Sequence, residues 1–78
     1  MNSNWKYVVF EGDLGIEYPV IFPPYTNHSS IRDLSGKAIS AGFVIFEDGI
    51  LIPYGESVTL KLKSRPKDQK LLNKLFEK

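Results

Sequence analysis

Two apolar runs, Phe43-Val44-Ile45-Phe46 and Ile50-Leu51-Ile52, stand back to back around Asp48-Gly49. An Asp-Gly pair readily takes the positive φ angles of a two-residue turn, whose twist matches that of the strands it joins. The spacing therefore predicts a β-hairpin. Every residue of the first run is large and apolar, so both faces of that strand need cover, which places it inside a sheet rather than at its edge. Helices are expected over one face. Over the other, either a partner subunit or the same sheet curled on itself is expected.

The flanking segments extend the sheet. In "WKYVVFEG" (5–12), Trp5, Tyr7 and Val9 alternate with Lys6, Val8 and Phe10, in residue types suited to a pleated surface. "GDLGIE" (12–17) supplies a turn, and "YPVIFP" (18–23) resumes the strand pattern. Pro19 has no N–H to give to a ladder, so this second strand belongs at an edge or begins beyond the proline. In "VTLKLK" (58–63), Val58, Leu60 and Leu62 alternate with Thr59, Lys61 and Lys63, which predicts a half-exposed strand. "SRPKD" (64–68) opens a helix, with Ser64 as its cap and Pro66 and Asp68 in its first turn. Leu71, Leu72, Leu75 and Phe76 would form the apolar stripe of that helix.

Between the second strand and the hairpin, Thr26 or Asn27 suits a helix N-cap. Ile31 and Leu34 would face the core, and Gly36 suits the residue after a helix end. The predicted fold is α+β, a single domain over 1–78. It comprises an antiparallel 4–5-stranded sheet with a short inserted helix and a C-terminal helix packed on one face. A five-stranded, partly open barrel is the runner-up.

Composition narrows the chemistry. At 78 residues and 42% hydrophobic, the chain can build one core of modest margin. With no cysteine and one histidine, disulfides, thiolate zinc sites and a cysteine nucleophile are excluded, and no metal is expected. The glycines lack the spacing of phosphate or dinucleotide loops, so no cofactor is expected. No signal-peptide pattern and no apolar run near the roughly 20 residues of a membrane span is present, and a cytoplasmic location away from membranes is expected.

Charge is unevenly spread. Residues 1–60 hold three basic and seven acidic side chains, a balance of −4, whereas residues 61–78 hold seven basic and two acidic, a balance of +5. Lys61, Lys63, Arg65 and Lys67 are thus candidate contacts for nucleic acid or an acidic partner, set against the alternative of a solvated, lysine-rich helix. Tyr54, Glu56 and Ser57 put a phenol, a carboxylate and a hydroxyl between two strands, a candidate binding site whose competing explanation is a bulge. His28 adjoins Ser29 and Ser30 with Asp33 nearby, but neighbouring helical side chains diverge and no G-x-S-x-G elbow is present. No catalytic residue is assigned, and His28 enters only as a residue of the helix start and a candidate binding contact.

Taken in order, "KYVVFEG" (6–12), "PVIFP" (19–23), "HSSI" (28–31), "SAGFVIFEDG" (40–49), "YGES" (54–57) and "SRPKDQKLL" (64–72) resemble a group of small proteins of bacterial and phage genomes that carry no established activity. The resemblance implies a phage or prophage accessory protein that binds and modulates a host or phage protein, and it assigns no residue a role. The expected function is a non-enzymatic binding module, a homodimer with a further protein partner. The alternative is a small nucleic-acid-binding protein using the basic C-terminal segment. A small enzyme or ligand-binding protein with its site at residues 54–57 comes third. Because His28 is read as part of a helix start, His28→Ala should leave the melting temperature and any binding activity nearly unchanged. An activity lost at constant melting temperature would overturn that reading.

Overall fold

The computed structural model describes residues 5–27 and 37–75. Strands β1 (Trp5–Glu11), β2 (Glu17–Phe22), β3 (Lys37–Glu47) and β4 (Ile50–Tyr54) form one antiparallel sheet in the order β2-β1-β3-β4. Beyond β4 the chain forms a small antiparallel ribbon, β5 (Glu56–Ser57) and β6 (Leu62–Lys63), followed by helix α1 (Asp68–Lys74). A 3-10 turn at Asp13–Gly15 joins β1 to β2. The helix expected after β2 falls almost wholly outside the described residues. Just before it, the Thr26 N–H closes a turn on the Pro23 carbonyl, and the Lys6 ammonium donates to the Thr26 carbonyl at 2.9 Å.

Strand β1 is the axis of the fold. Tyr7, Val8, Val9 and Phe10 are all fully buried, which an alternating strand achieves only when both of its faces are covered. Tyr7 and Val9 pack with Val44, Leu51 and Leu72, joined by Ile21, Ile39 and Leu71. Val8 and Phe10 pack with Phe22 and Ala41, joined by Tyr18, Val20, Leu60 and Leu62. One face of the sheet thus lies under α1 and the other under the β5–β6 ribbon.

This arrangement corrects three expectations. The second face is covered by the chain's own Leu60 and Leu62, so the premise on which a partner subunit was expected there does not hold. Continuous burial on both faces belongs to β1; in the 43–46 run only Val44 is fully buried, and Phe46 is 68% exposed. The predicted strand over 58–63 is a tight ribbon instead. Residues 58–61 form its turn, with Lys61 at φ 58° and the Lys61 N–H bonded to the Val58 carbonyl at 3.2 Å. Val58 is left 79% exposed. Leu60 and Leu62 still reach the core, because a turn can deliver two apolar side chains to one side as well as a strand can.

Other expectations hold, except for the start of the C-terminal helix and its Ser64 cap. β2 is an edge strand, with Pro19 opposite Val9. In the β3–β4 hairpin Glu47 pairs with Ile50, and Asp48 and Gly49 both take positive φ, 52° and 80°, as a type I′ turn requires. Helix α1 starts later than expected. Its N-cap position is Lys67 with no side-chain cap, and Ser64 lies before it. Of the stripe, Leu72 is fully buried and Leu71 packs on the core, whereas Leu75 is 52% exposed; Phe76 is outside the described residues.

Gly49 at φ +80° has open space around its α-carbon, so a substitution there reports backbone strain alone. Gly49→Val should destabilise by about 1–2 kcal/mol, lowering the melting temperature by roughly 4–8 °C for each kcal/mol in a domain of this size. Thermal unfolding followed by circular dichroism checks this, and an unchanged curve would refute the assigned turn.

Candidate functional site

The most structured polar feature is a chain of side chains linking the sheet to the start of α1. Tyr7, on β1, directs its hydroxyl into the helix-covered face, where an unpartnered phenol would be costly. It donates to Asp68 Oδ2 at 2.7 Å. Asp68 is itself fully buried, and it also accepts from the Arg65 backbone N–H at 2.9 Å and from Arg65 Nε at 2.9 Å. The same guanidinium reaches Glu17 on β2, with Nη2 3.0 Å from Oε1. Lys67 stands 3.7 Å from the other Glu17 oxygen. β1, β2 and the start of α1 are thus tied through Asp68 and the Arg65 guanidinium together.

The electrostatics follow from burial and proximity. Removal from water, reinforced by the adjacent Asp68 carboxylate, pushes the Tyr7 phenol far above its ordinary value of 10.0. Burial acts against the Arg65 charge, but hydrogen bonds to Asp68 and Glu17 outweigh it and raise its affinity for the proton. A phenol held neutral and a guanidinium held charged offer neither a base nor a nucleophile at neutral pH, and the Asp68 carboxylate is closed off from solvent with its oxygens accepting from Tyr7 and Arg65. The constellation is a structural clamp.

The residues singled out in the sequence fall in different places. Arg65 belongs to the clamp and Lys67 to its rim, so neither is a free cation. Lys61 is exposed in the ribbon turn, and Lys63, on β6, pairs in register with Glu56 on β5. Tyr54 ends β4 at 36% exposed, with its ring 5.7 Å from that of Phe43. Ser57 is 2% exposed, and its hydroxyl accepts from the Leu60 N–H at 3.3 Å. The hydroxyl therefore serves the ribbon turn, as a bulge would have it, while the Glu56 side chain points to solvent. His28 lies outside the described residues.

Residues 54–57 do mark a crossing point. Gly55 has φ +73°, and a Cβ on Gly42 would stand 2.7 Å from the Tyr54 carbonyl oxygen and 3.2 Å from that of Gly55. Gly42 is thus the hydrogen-only position that lets the chain leave β4 and pass close over β3. The Ser64 N–H then bonds back to the Gly55 carbonyl at 3.0 Å. Nothing in the local pattern marks Glu17, and Asp68 reads in sequence only as a helix-dipole charge. Pairing Asp68 with Tyr7, 61 residues away, needed the fold.

The remaining surface features are apolar and polar singles. Among the described residues no cluster of three or more His, Cys, Asp or Glu side chains is placed to hold a metal, and no helix is long and apolar enough to cross a membrane. The Ser40 hydroxyl is buried with no hydrogen-bond partner among the described residues, opposite Val9 in register. Trp5 is 43% and Phe46 68% exposed. Trp5 pairs with Val44, so Phe46 lies on its diagonal on the same face, about 7–8 Å away between backbones and within reach of an aromatic ring. Ile50, 43% exposed, adds apolar surface at the hairpin tip. No family model, curated protein or solved structure matches the chain.

The clamp predicts a pH effect. A phenol whose folded affinity for the proton exceeds its unfolded one stabilises fully below its unfolded value and loses that contribution as pH rises above about 10. Tyr7→Phe should cost about 1–3 kcal/mol at neutral pH, because Asp68 stays buried with one donor fewer. The gap in melting temperature between wild type and Tyr7→Phe should narrow as pH is raised past that value. A constant gap would show that the hydroxyl carries no such linkage.

Proposed function

We propose that the protein is a non-enzymatic binding module that seats another protein against the hairpin end of its sheet. The observation that carries this reading is the pair Trp5 and Phe46, large aromatic side chains left in solvent on regular strands beside a fully buried Val44. Exposed apolar residues at loop tips are ordinary, and Leu14, 97% exposed on the β1–β2 turn, is of that kind. Aromatic residues held rigidly side by side on a strand surface are the usual anchors of protein interfaces. With the second sheet face covered from within the chain, this pair is also the place where a second copy would dock if the protein forms the expected homodimer. The resemblance to bacterial and phage proteins favours an accessory role, modulating a host or phage partner.

The nucleic-acid reading is weaker. Exposed Lys61, Lys63, Lys70 and Lys74 favour it, but Arg65, the residue best suited to phosphate, is engaged by Asp68 and Glu17. An enzyme at residues 54–57 is disfavoured by the engagement of Ser57 in its own turn.

Phe46→Asp should cost about 1 kcal/mol, since it puts a strand-disfavoured residue opposite Leu51 on an inner strand, while abolishing partner binding. Affinity purification from the native host with wild type and variant in parallel tests this. A protein retained by wild type and lost by Phe46→Asp supports the reading, and identical retention by both overturns it. Light scattering on the same pair reads self-association, with a mass of twice 8.9 kDa for wild type alone placing a second copy on the patch. Salt-sensitive retention on heparin that survives Phe46→Asp would instead favour nucleic acid.

A further inference from the structure

Strand β4 is an edge of the sheet, and an exposed edge is a template on which another chain can add a strand. In a hairpin closed by a two-residue turn, the flanking pair is hydrogen-bonded and the pattern alternates from there. Ile50, Ile52 and Tyr54 therefore direct their backbone groups inward to β3, and Leu51 and Pro53 direct theirs outward. Pro53 has no N–H. The Leu51 N–H is thus the sole outward donor of the strand.

That donor is taken by a side chain. The Leu51 N–H donates to Asn73 Oδ1 at 2.9 Å, and Asn73 Nδ2 donates to the Leu51 carbonyl at 2.9 Å. A side-chain amide presents one acceptor and one donor side by side, as a neighbouring strand would, so Asn73 imitates the strand that β4 lacks. Asn73 Nδ2 also bonds to the Gln69 carbonyl at 2.6 Å, one turn back in α1, which fixes its orientation. The fully buried Leu72 beside it anchors the helix turn that presents the amide.

We propose that Asn73 is an edge guard: its amide occupies the one self-complementary position of β4 and so prevents a second copy of the chain from pairing with it. Leu51 is where two copies would meet. In an antiparallel pair about a two-fold axis, one residue opposite itself exchanges both its N–H and its C=O with its symmetry mate. Leu51 is the β4 residue able to do so, since Pro53 at the other outward position cannot donate. The guard acts on the outer backbone edge of β4, which adjoins the patch at one end, since Leu51 stands opposite Phe46 in register, and lies a strand further from Trp5.

Asn73→Ala tests the proposal, because alanine favours the helix and leaves Leu71, Leu72 and the Asp68 clamp in place. Across a dilution series in light scattering, Asn73→Ala should reach twice the mass of its parent, both in the wild-type background and in Trp5→Asp, which disrupts the aromatic patch a strand away from the β4 edge. Doubling that vanishes with Trp5→Asp would assign association to the aromatic patch and overturn the guard. An unchanged mass in both backgrounds overturns it as well. Hydrogen exchange at the Leu51 amide serves even if the variant folds poorly. In wild type that amide should exchange roughly tenfold or more slowly than an open edge amide, and exchange at the open rate would refute the guard in the unmodified protein.

Discussion

Everything in this fold follows from the burial of β1 on both sides. Four consecutive residues with no contact with solvent force two separate covers on a chain that has few residues with which to build them. Helix α1 supplies one and the β5–β6 ribbon the other. Both come from the last third of the chain, so its beginning and end are packed together. At roughly 0.05–0.15 kcal/mol per residue, a domain of this length holds about 4–12 kcal/mol in all. Losing either cover would expose several side chains worth about 1.5–3 kcal/mol each, which is most of that margin.

The clamp and the edge contact serve the same end by different chemistry. Tyr7 brings a hydroxyl into an apolar layer, and Asp68 answers it; Arg65 and Glu17 then keep the carboxylate from being an isolated buried charge. The pair fixes where α1 begins. Asn73 fixes where it ends, by bonding the backbone of the far edge strand. A seven-residue helix has little stability of its own, and here it is held over the sheet by a side chain at each end and by Leu72 between them.

The sequence made some of this legible and concealed the rest for identifiable reasons. Asp48-Gly49 dictates its turn by backbone preference alone, and Pro19 forbids an interior position, so the hairpin and the edge strand could be read directly. Alternation in 58–63 was ambiguous, since Leu60 and Leu62 satisfy it whether the residue between them is extended or, as Lys61 is, left-handed. The basic residues misled because charge is counted locally while pairing is spatial: Arg65 looks like a free cation until β2 brings Glu17 to it. Of the candidate sites, 54–57 was correctly located as a place where the chain changes direction. Its significance rests on Gly42, twelve residues earlier, and no local pattern could show that. The Trp5–Phe46 pair was hidden because strand periodicity alone assigns such aromatics to the core.

The separation between β1 and its covers has a bearing on synthesis. Asp68 follows Tyr7 by 61 residues, so at roughly 5–20 residues per second a ribosome takes on the order of 3–12 s to make the partner that Tyr7 requires. Once Tyr54 completes the hairpin, 47 residues after Tyr7, Val8, Phe10 and the hairpin can pair into a sheet whose two faces remain wet while the 14 residues up to Asp68 are made. A nascent chain in that state carries an adhesive surface, and its unguarded β4 edge lies open too, because Asn73 is made later still. The period of greatest hazard for this protein thus comes before α1 exists, when the strands are ready and what keeps them from other chains is yet to be translated.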